Sequence, residues 1–180
     1  MFRRAQRSES PLKIALVGPS GSGKTYTALA LAVGIHRVLV RHGRATNGIA
    51  VIDTERGTSA KYAGIFEFDV CPLESFSPRD YIAAIEEAIA ARYGVLVIDS
   101  LSHAWIGPGG ILEMVEAARQ RSSSPFAGWR DASPMHWKLV DMILRAPIDV
   151  IATMRAKHEY VVEDVGGKAV PRRVGLAPVQ

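Results

Sequence analysis

The chain has 180 residues, 48% of them hydrophobic, which suits a single α/β domain with a proper core and no second domain. Its net charge of +4 and pI near 9.4 come from an uneven excess, Arg3, Arg4 and Arg7 near the start and Lys168, Arg172 and Arg173 near the end, which permits an anionic partner without demanding one. Cys71 is the single cysteine, so an internal disulfide is excluded, and no uncharged run reaches the roughly 18 residues that span a bilayer; with no apolar leader in Met1 to Pro11, the expectation is a soluble cytoplasmic protein with no membrane partner.

Residues 1–12 read as a basic tail and 13–180 as the folded domain. The apolar run Lys13-Ile14-Ala15-Leu16-Val17 predicts a strand, and it feeds Gly18-Pro19-Ser20-Gly21-Ser22-Gly23-Lys24-Thr25. That stretch reads G-x-x-x-x-G-K-T, a phosphate-binding loop. Its glycines reach backbone conformations closed to other residues, so that consecutive amides can turn inward on a polyphosphate. Tyr26 to Ala32 predicts a buried helix whose N-terminal dipole points at the same anion. Lys24 then reaches the β- and γ-phosphates of a nucleotide, and the Thr25 hydroxyl ligates Mg²⁺. After a polar loop at Arg41 to Gly48, a second strand, Ile49-Ala50-Val51-Ile52-Asp53, runs into Thr54-Glu55-Arg56-Gly57. Two carboxylates therefore stand at the carboxyl end of a parallel strand, where open α/β sheets hold ligands.

Thr58 to Gly64 predicts a short helix and Phe66 to Cys71 a half-exposed strand. Ser77-Pro78 caps a helix from about Pro78 to Arg92, with Tyr81, Ile82, Ile85, Ala88 and Ile89 on one apolar stripe. Val95-Leu96-Val97-Ile98-Asp99-Ser100 is apolar on both faces and reads as a central parallel strand. Ser102 to Gly110 reads as a loop and Ile111 to Arg121 as a helix. Ser122 to Pro125 is a break, and a linker holding Phe126, Trp129 and Arg130 precedes a helix from roughly Pro134 to Arg145. Asp149 to Met154 is a fourth strand leading to Arg155-Ala156-Lys157. Tyr160 to Val162 and Ala169 to Val174 flank Gly166-Gly167, which predicts a terminal hairpin.

The aspartate ending the third strand is the usual partner of the phosphate loop, and the Asp99 carboxylate is placed to hold a water of the Mg²⁺ shell. Hydrolysis also demands a group that orients and deprotonates water, for which Glu55 and Asp53 are both candidates. Lys13 to Thr25, Val51 to Glu55 and Val95 to Ser100 resemble the RecA-type ATPase core, whose catalytic glutamate leaves the strand after the first helix. Leu73 to Pro78, Ile98 to Trp105 and Gly175 to Gln180 are similar to phage-encoded AAA-family ATPases, among them RecA-like proteins proposed to act in single-strand annealing recombination. The resemblance covers nearly the whole chain.

It implies a RecA-like α/β P-loop NTPase fold, with a mostly parallel central sheet, helices on both faces and a C-terminal β-hairpin. It further implies ATP as substrate, Glu55 as catalytic base, and Tyr62 as an adenine-stacking ring. The γ-phosphate sensor falls to Thr153 or, because Met154 departs from the family's glutamine, to Arg155 or Lys157. Segments corresponding to DNA-contacting loops are Phe126–His136, with Arg130, and His158–Gly175, with Lys168, Arg172 and Arg173; single-stranded DNA is the implied partner. Self-association into a ring or filament follows, with Arg155 or Lys157 reaching a neighbour. The family usually continues with a further strand past Gln180. Two rival functions share the loop: a nucleotide or small-molecule kinase with Arg155 to Arg173 as its lid, and a non-enzymatic, nucleotide-gated DNA-annealing module.

Overall fold

The computed structural model describes residues 10–44, 46–121, 127–165 and 168–179. Strand β1 (Lys13–Gly18) enters the phosphate loop, and helix α1 (Lys24–Arg41) leaves it; β2 (Ile49–Asp53), β3 (Asp69–Pro72), α2 (Pro78–Ala90) and β4 (Val95–Asp99) follow. Then come three helices, α3 (His103–Ile106), α4 (Ile111–Arg119) and α5 (Ala127–Arg145), and two long strands, β5 (Asp149–Val165) and β6 (Lys168–Pro178). The parallel strands lie in the order β1-β5-β4-β2-β3, and β6 pairs antiparallel with the distal half of β5. This is the expected α/β architecture with its terminal hairpin. The Gly166-Gly167 turn lies outside the described residues.

Alternation along the inner strands assigns each face a helix layer. Ile49, Val51, Val95, Val97 and Ile151 point one way and pack on Ala28, Leu29, Ala32 and Leu39 of α1. Ala50, Ile52, Leu96, Ile98, Val150 and Ala152 point the other way, onto Tyr81, Ile82, Ile85 and Ala88 of α2 and Leu139 of α5. Because both faces are covered, these strands are apolar without a polar side, as a buried parallel sheet requires. A smaller cluster of Ile111, Val115 and Ala132, with Trp105, Met114 and Met135 against it, joins α3, α4 and α5 beside the main sheet.

Three boundaries differ from the sequence reading. The edge strand is shorter than Phe66 to Cys71, because only Asp69–Pro72 finds a ladder partner in β2; Phe66 and Phe68 instead pack with the α1-side core. The loop after Ser102 contains the single turn α3. Finally α5 is already helical from Ala127, so Trp129 and Arg130 lie on a helix and Pro134 sits inside it rather than at its start. An interior proline costs a helix about 3 kcal/mol, and contact with α4 outweighs it: Ala132 is fully buried, and Gly128 lies so close that a Cβ there would stand 2.4 Å from the Val115 carbonyl. The predicted break at Ser122–Pro125 lies outside the described residues.

Candidate functional site

Register brings the site together. Asp53 pairs with Asp99 across β2 and β4, and Gly18 pairs with Arg155 across β1 and β5, so the carboxyl ends of β1, β2 and β4 gather beside the middle of β5. Between them and the phosphate loop lies a crevice of ≈ 200 Å³ lined by Ser20, Gly21, Gly23, Lys24, Thr25, Glu55, Thr58, Tyr62, Asp99 and Arg155. A larger groove, ≈ 930 Å³, runs between α1 and segment 63–69, but its lining from Ala30 to Asp69 includes no residue of the loop or of the strand ends.

The loop turns through Gly21 at φ 77° and Gly23 at φ 82°, left-handed conformations that a side chain would strain. Gly23 is the N-cap of α1 and no side chain caps it, which leaves the first amides of the helix to an anion. Gly18 is buried because the Ser22 hydroxyl occupies the space, 2.7 Å from where a Cβ would sit. The Ser22 Oγ and Lys24 Nζ both donate to the Pro19 carbonyl, each at 2.8 Å.

On the strand side, the Thr25 hydroxyl donates to Asp99 Oδ2 at 2.6 Å. Thr153, fully buried, donates to Asp99 Oδ1. Thr153 thus stands beneath Asp99 and does not line the crevice, while Met154 is half-buried on the next position of β5. Hard oxygen donors on Thr25 and Asp99 suit a Mg²⁺ ion that keeps most of its water. Among the described residues no group of three His, Cys, Asp or Glu side chains converges on a metal position.

The two carboxylates of β2 have different surroundings. Asp53 is buried, and its oxygens accept the amides of Glu55 (2.8 Å), Gly57 (3.4 Å) and Ser59 (3.1 Å) as well as the Ser59 hydroxyl. It is consumed in shaping the turn after β2. Glu55 faces the crevice, and both its oxygens receive Arg155, Nε at 3.1 Å and Nη2 at 2.6 Å. Arg155 therefore reaches a carboxylate of its own chain. Tyr62 lines the crevice and meets Tyr26 edge-on at 5.9 Å.

The sequence reading passed over three groups. Thr54 is buried, accepts the Ser100 amide at 2.8 Å, and lies 2.7 Å from His103 Nδ1. Ser102 holds the Arg155 amide at 2.8 Å. His103 Nε2 stands 3.9 Å from Glu55 Oε1; burial holds its imidazole below the usual range, the Arg155 charge adds to that, and Glu55 opposes it. A histidine four residues past the strand-end aspartate was the available signal, but nothing local says that it turns back toward Glu55.

Arg130 is exposed on α5, 3.7 Å from Asp131. Arg172 is exposed on β6 opposite Val161, and the backbones of Lys168 and Arg173 pair with Val165 and Tyr160. Neither Arg130 nor Arg172 is among the residues that line the crevice. No helix among the described residues is long and apolar enough to cross a membrane.

Comparison with curated proteins gives no match. The sequence pattern of the AAA domain matches residues 10–173, which takes in the loop, the crevice and most of the hairpin. The chain belongs to the AAA domain family, and so to the nucleotide-binding P-loop ATPases.

Proposed function

We propose that the protein is a Mg²⁺-dependent ATPase that acts on single-stranded DNA, in phage-type recombination or replication. The observation that carries the ATPase part is one crevice holding Lys24, Thr25, Asp99 and a crevice-facing carboxylate, Glu55. Gly18 to Thr25 wraps the phosphates with backbone amides, and Lys24 trades the Pro19 carbonyl for the β- and γ-oxygens. Thr25 and Asp99 would hold the Mg²⁺, which would supply positive charge to the phosphates. Glu55 accepts the proton of the water whose oxygen bonds to the γ-phosphorus as the bridge to ADP breaks. That the oxygens of Asp53 are taken by the turn supports Glu55 over Asp53 as the base. Tyr62, beside the loop, offers its ring to the base. Thr153 acts on phosphate only through Asp99.

The DNA part draws support from the tryptophans. The chain has three, and all three lie in one row: Trp129 and Trp105 at 5.9 Å, Trp105 and His136 at 5.3 Å, His136 and Trp137 at 5.8 Å. Trp137 is 66% exposed and Trp129 39%, with Arg130 and Lys138 exposed beside them. Aromatic faces next to cations suit stacked bases on a phosphate backbone. The hairpin sequence adds Lys168, Arg172 and Arg173, and replacing Arg172 and Arg173 by alanine lowers the salt slope of DNA binding by about one unit per lost phosphate contact. With Arg155 engaged by Glu55, the exposed Lys157 is the cation for a neighbour in an ATP-strengthened ring or filament, which light scattering with nucleotide tests.

Phosphate release from ATP, with and without a thymidine oligonucleotide, tests the whole reading. Lys24→Ala abolishes turnover. Glu55→Gln lowers kcat about a hundredfold or more while ATP affinity stays within a few-fold. Full activity in Lys24→Ala overturns the site, and transfer of phosphate to a small acceptor instead of water supports the kinase reading.

A further inference from the structure

Glu55 has a third neighbour besides water and Arg155. The His103 ring is held on its flanks: Phe76 stacks on it at 5.0 Å with 24° between planes, and Phe76 has room because residue 107 is glycine, whose Cβ would stand 2.4 Å from the Phe76 ring. Its Nδ1 lies 2.7 Å from Thr54 Oγ1. Thr54 owns one hydroxyl hydrogen and has two acceptors, Nδ1 at 2.7 Å and the Ser100 carbonyl at 3.1 Å; meanwhile the hydroxyl oxygen accepts the Ser100 amide. A proton on Nδ1 would turn a bare nitrogen lone pair toward Glu55. A proton on Nε2 satisfies both sides of the ring, with Thr54 donating to Nδ1 and Nε2–H directed at the carboxylate. The ring is a neutral donor, since burial disfavours its cation.

We propose that His103 is a positioning residue for Glu55, holding the carboxylate toward the phosphate crevice through a chain Ser100–Thr54–His103. The inference rests on Glu55 being the base. Arg155 occupies both oxygens of Glu55, and a bound polyphosphate is a stronger partner for that guanidinium. Once Arg155 turns to phosphate, Glu55 loses both charged hydrogen bonds, and His103 is the donor at 3.9 Å that closes on it. Because Thr54 is anchored on Ser100, the residue after Asp99, the base is set relative to the strand that carries the metal ligand. Outer partners of this kind are worth about ten- to a hundredfold in activity.

The test compares three variants in ATP hydrolysis. His103→Gln keeps a donor near the place of Nε2, His103→Asn keeps only the atom near Nδ1, and His103→Phe fills the space without a donor. His103→Asn and His103→Phe lower kcat about tenfold with KM for ATP within about twofold, and His103→Gln recovers most of the loss at equal thermal stability. Adding His103→Phe to Glu55→Gln costs nothing further, because the two act as one unit. Wild-type kcat in all three His103 variants, or His103→Gln as slow as His103→Phe, overturns the positioning role while leaving the ATPase reading intact. A fully active Glu55→Gln overturns both.

Discussion

The phosphate crevice and the row of rings on α3 and α5 meet at one turn of helix, with His103 on the crevice side and Trp105 on the other, yet they are built in opposite ways. In and behind the crevice nearly every polar side chain is already spoken for: Asp53 by three amides and a hydroxyl, Asp99 by two threonines, Glu55 by Arg155. The row instead leaves large apolar surface in water, Trp137 most of all. Preorganised polar groups favour a charge whose position is fixed, whereas exposed rings tolerate many partners placed loosely on them. Under the proposed function, the contrast divides chemistry from contact with a partner within one small domain.

The largest effect that sharpens this contrast is expected at Asp53. Hydrogen bonds to a buried charge are worth roughly 1.5–3 kcal/mol each, so Asp53→Ala loses several kcal/mol of stability and the turn that presents Glu55. Chemical denaturation shows a large loss of stability, whereas Glu55→Gln, which keeps one oxygen acceptor for Arg155 and shapes no turn, costs much less. A stable Asp53→Ala with normal ATP binding breaks the distinction between the carboxylate that builds and the one that acts.

Next in size is Gly128→Ala. The new methyl meets the Val115 carbonyl at 2.4 Å and its Cα at 2.9 Å, backbone atoms that cannot rotate away, so α5 must move off α4 at a cost of about 1–3 kcal/mol. Trp129 lies one residue on, and the row loses its alignment with Trp105. Tryptophan fluorescence, which reports on this row alone, shifts; ATP binding in the crevice does not. A shift in nucleotide affinity equal to that in fluorescence would make the two regions one unit.

Trp137→Ala isolates the surface itself. A ring two-thirds exposed contributes little to folding, so stability changes by less than about 0.5 kcal/mol, while affinity for a thymidine oligonucleotide falls by about 1–3 kcal/mol. Unchanged affinity, with loss of self-association instead, would make the row a contact between protein copies.

The same contrast explains what was legible in the sequence. Loop, strand ends and the α2 stripe are written locally: Gly18 to Thr25 is a contiguous pattern, and the strands ending in Asp53 and Asp99 carry their burial in their own composition. The choice between Glu55 and Asp53 was not legible locally: both remained candidates from the residues, the resemblance pointed to Glu55, and only the hydrogen bonds around Asp53 show that its oxygens belong to the turn. The row of rings brings Trp105 to Trp129 and His136 across a sequence gap, through contacts of Gly128 and Ala132 that no periodicity announces. Pro134 pointed the wrong way, because α4 packing overrides its preference. His103 fell between the two kinds: its position near Asp99 was visible, its return to Glu55 through Thr54 was not.

The smallest effect is expected from pH, and it spans both regions because each has a histidine below its usual range. Burial lowers His103, helped by Arg155 and opposed by Glu55 and Asp99, and burial alone lowers His136 between Trp105 and Trp137. Above the ordinary value of 6.5 both are neutral in folded and unfolded chain, and neither makes stability depend on pH. Below it the unfolded chain binds the protons first, so stability falls as pH falls from about 6.5 toward the folded values. Asn in place of His136 flattens part of that slope without touching turnover. His103→Gln flattens the rest and preserves most of kcat. A denaturation midpoint independent of pH between 7 and 5 in the parent chain, carboxylate effects being matched by the double variant, would mean that neither imidazole resists its proton, and that the donor beside Glu55 becomes a cation below about pH 6.5.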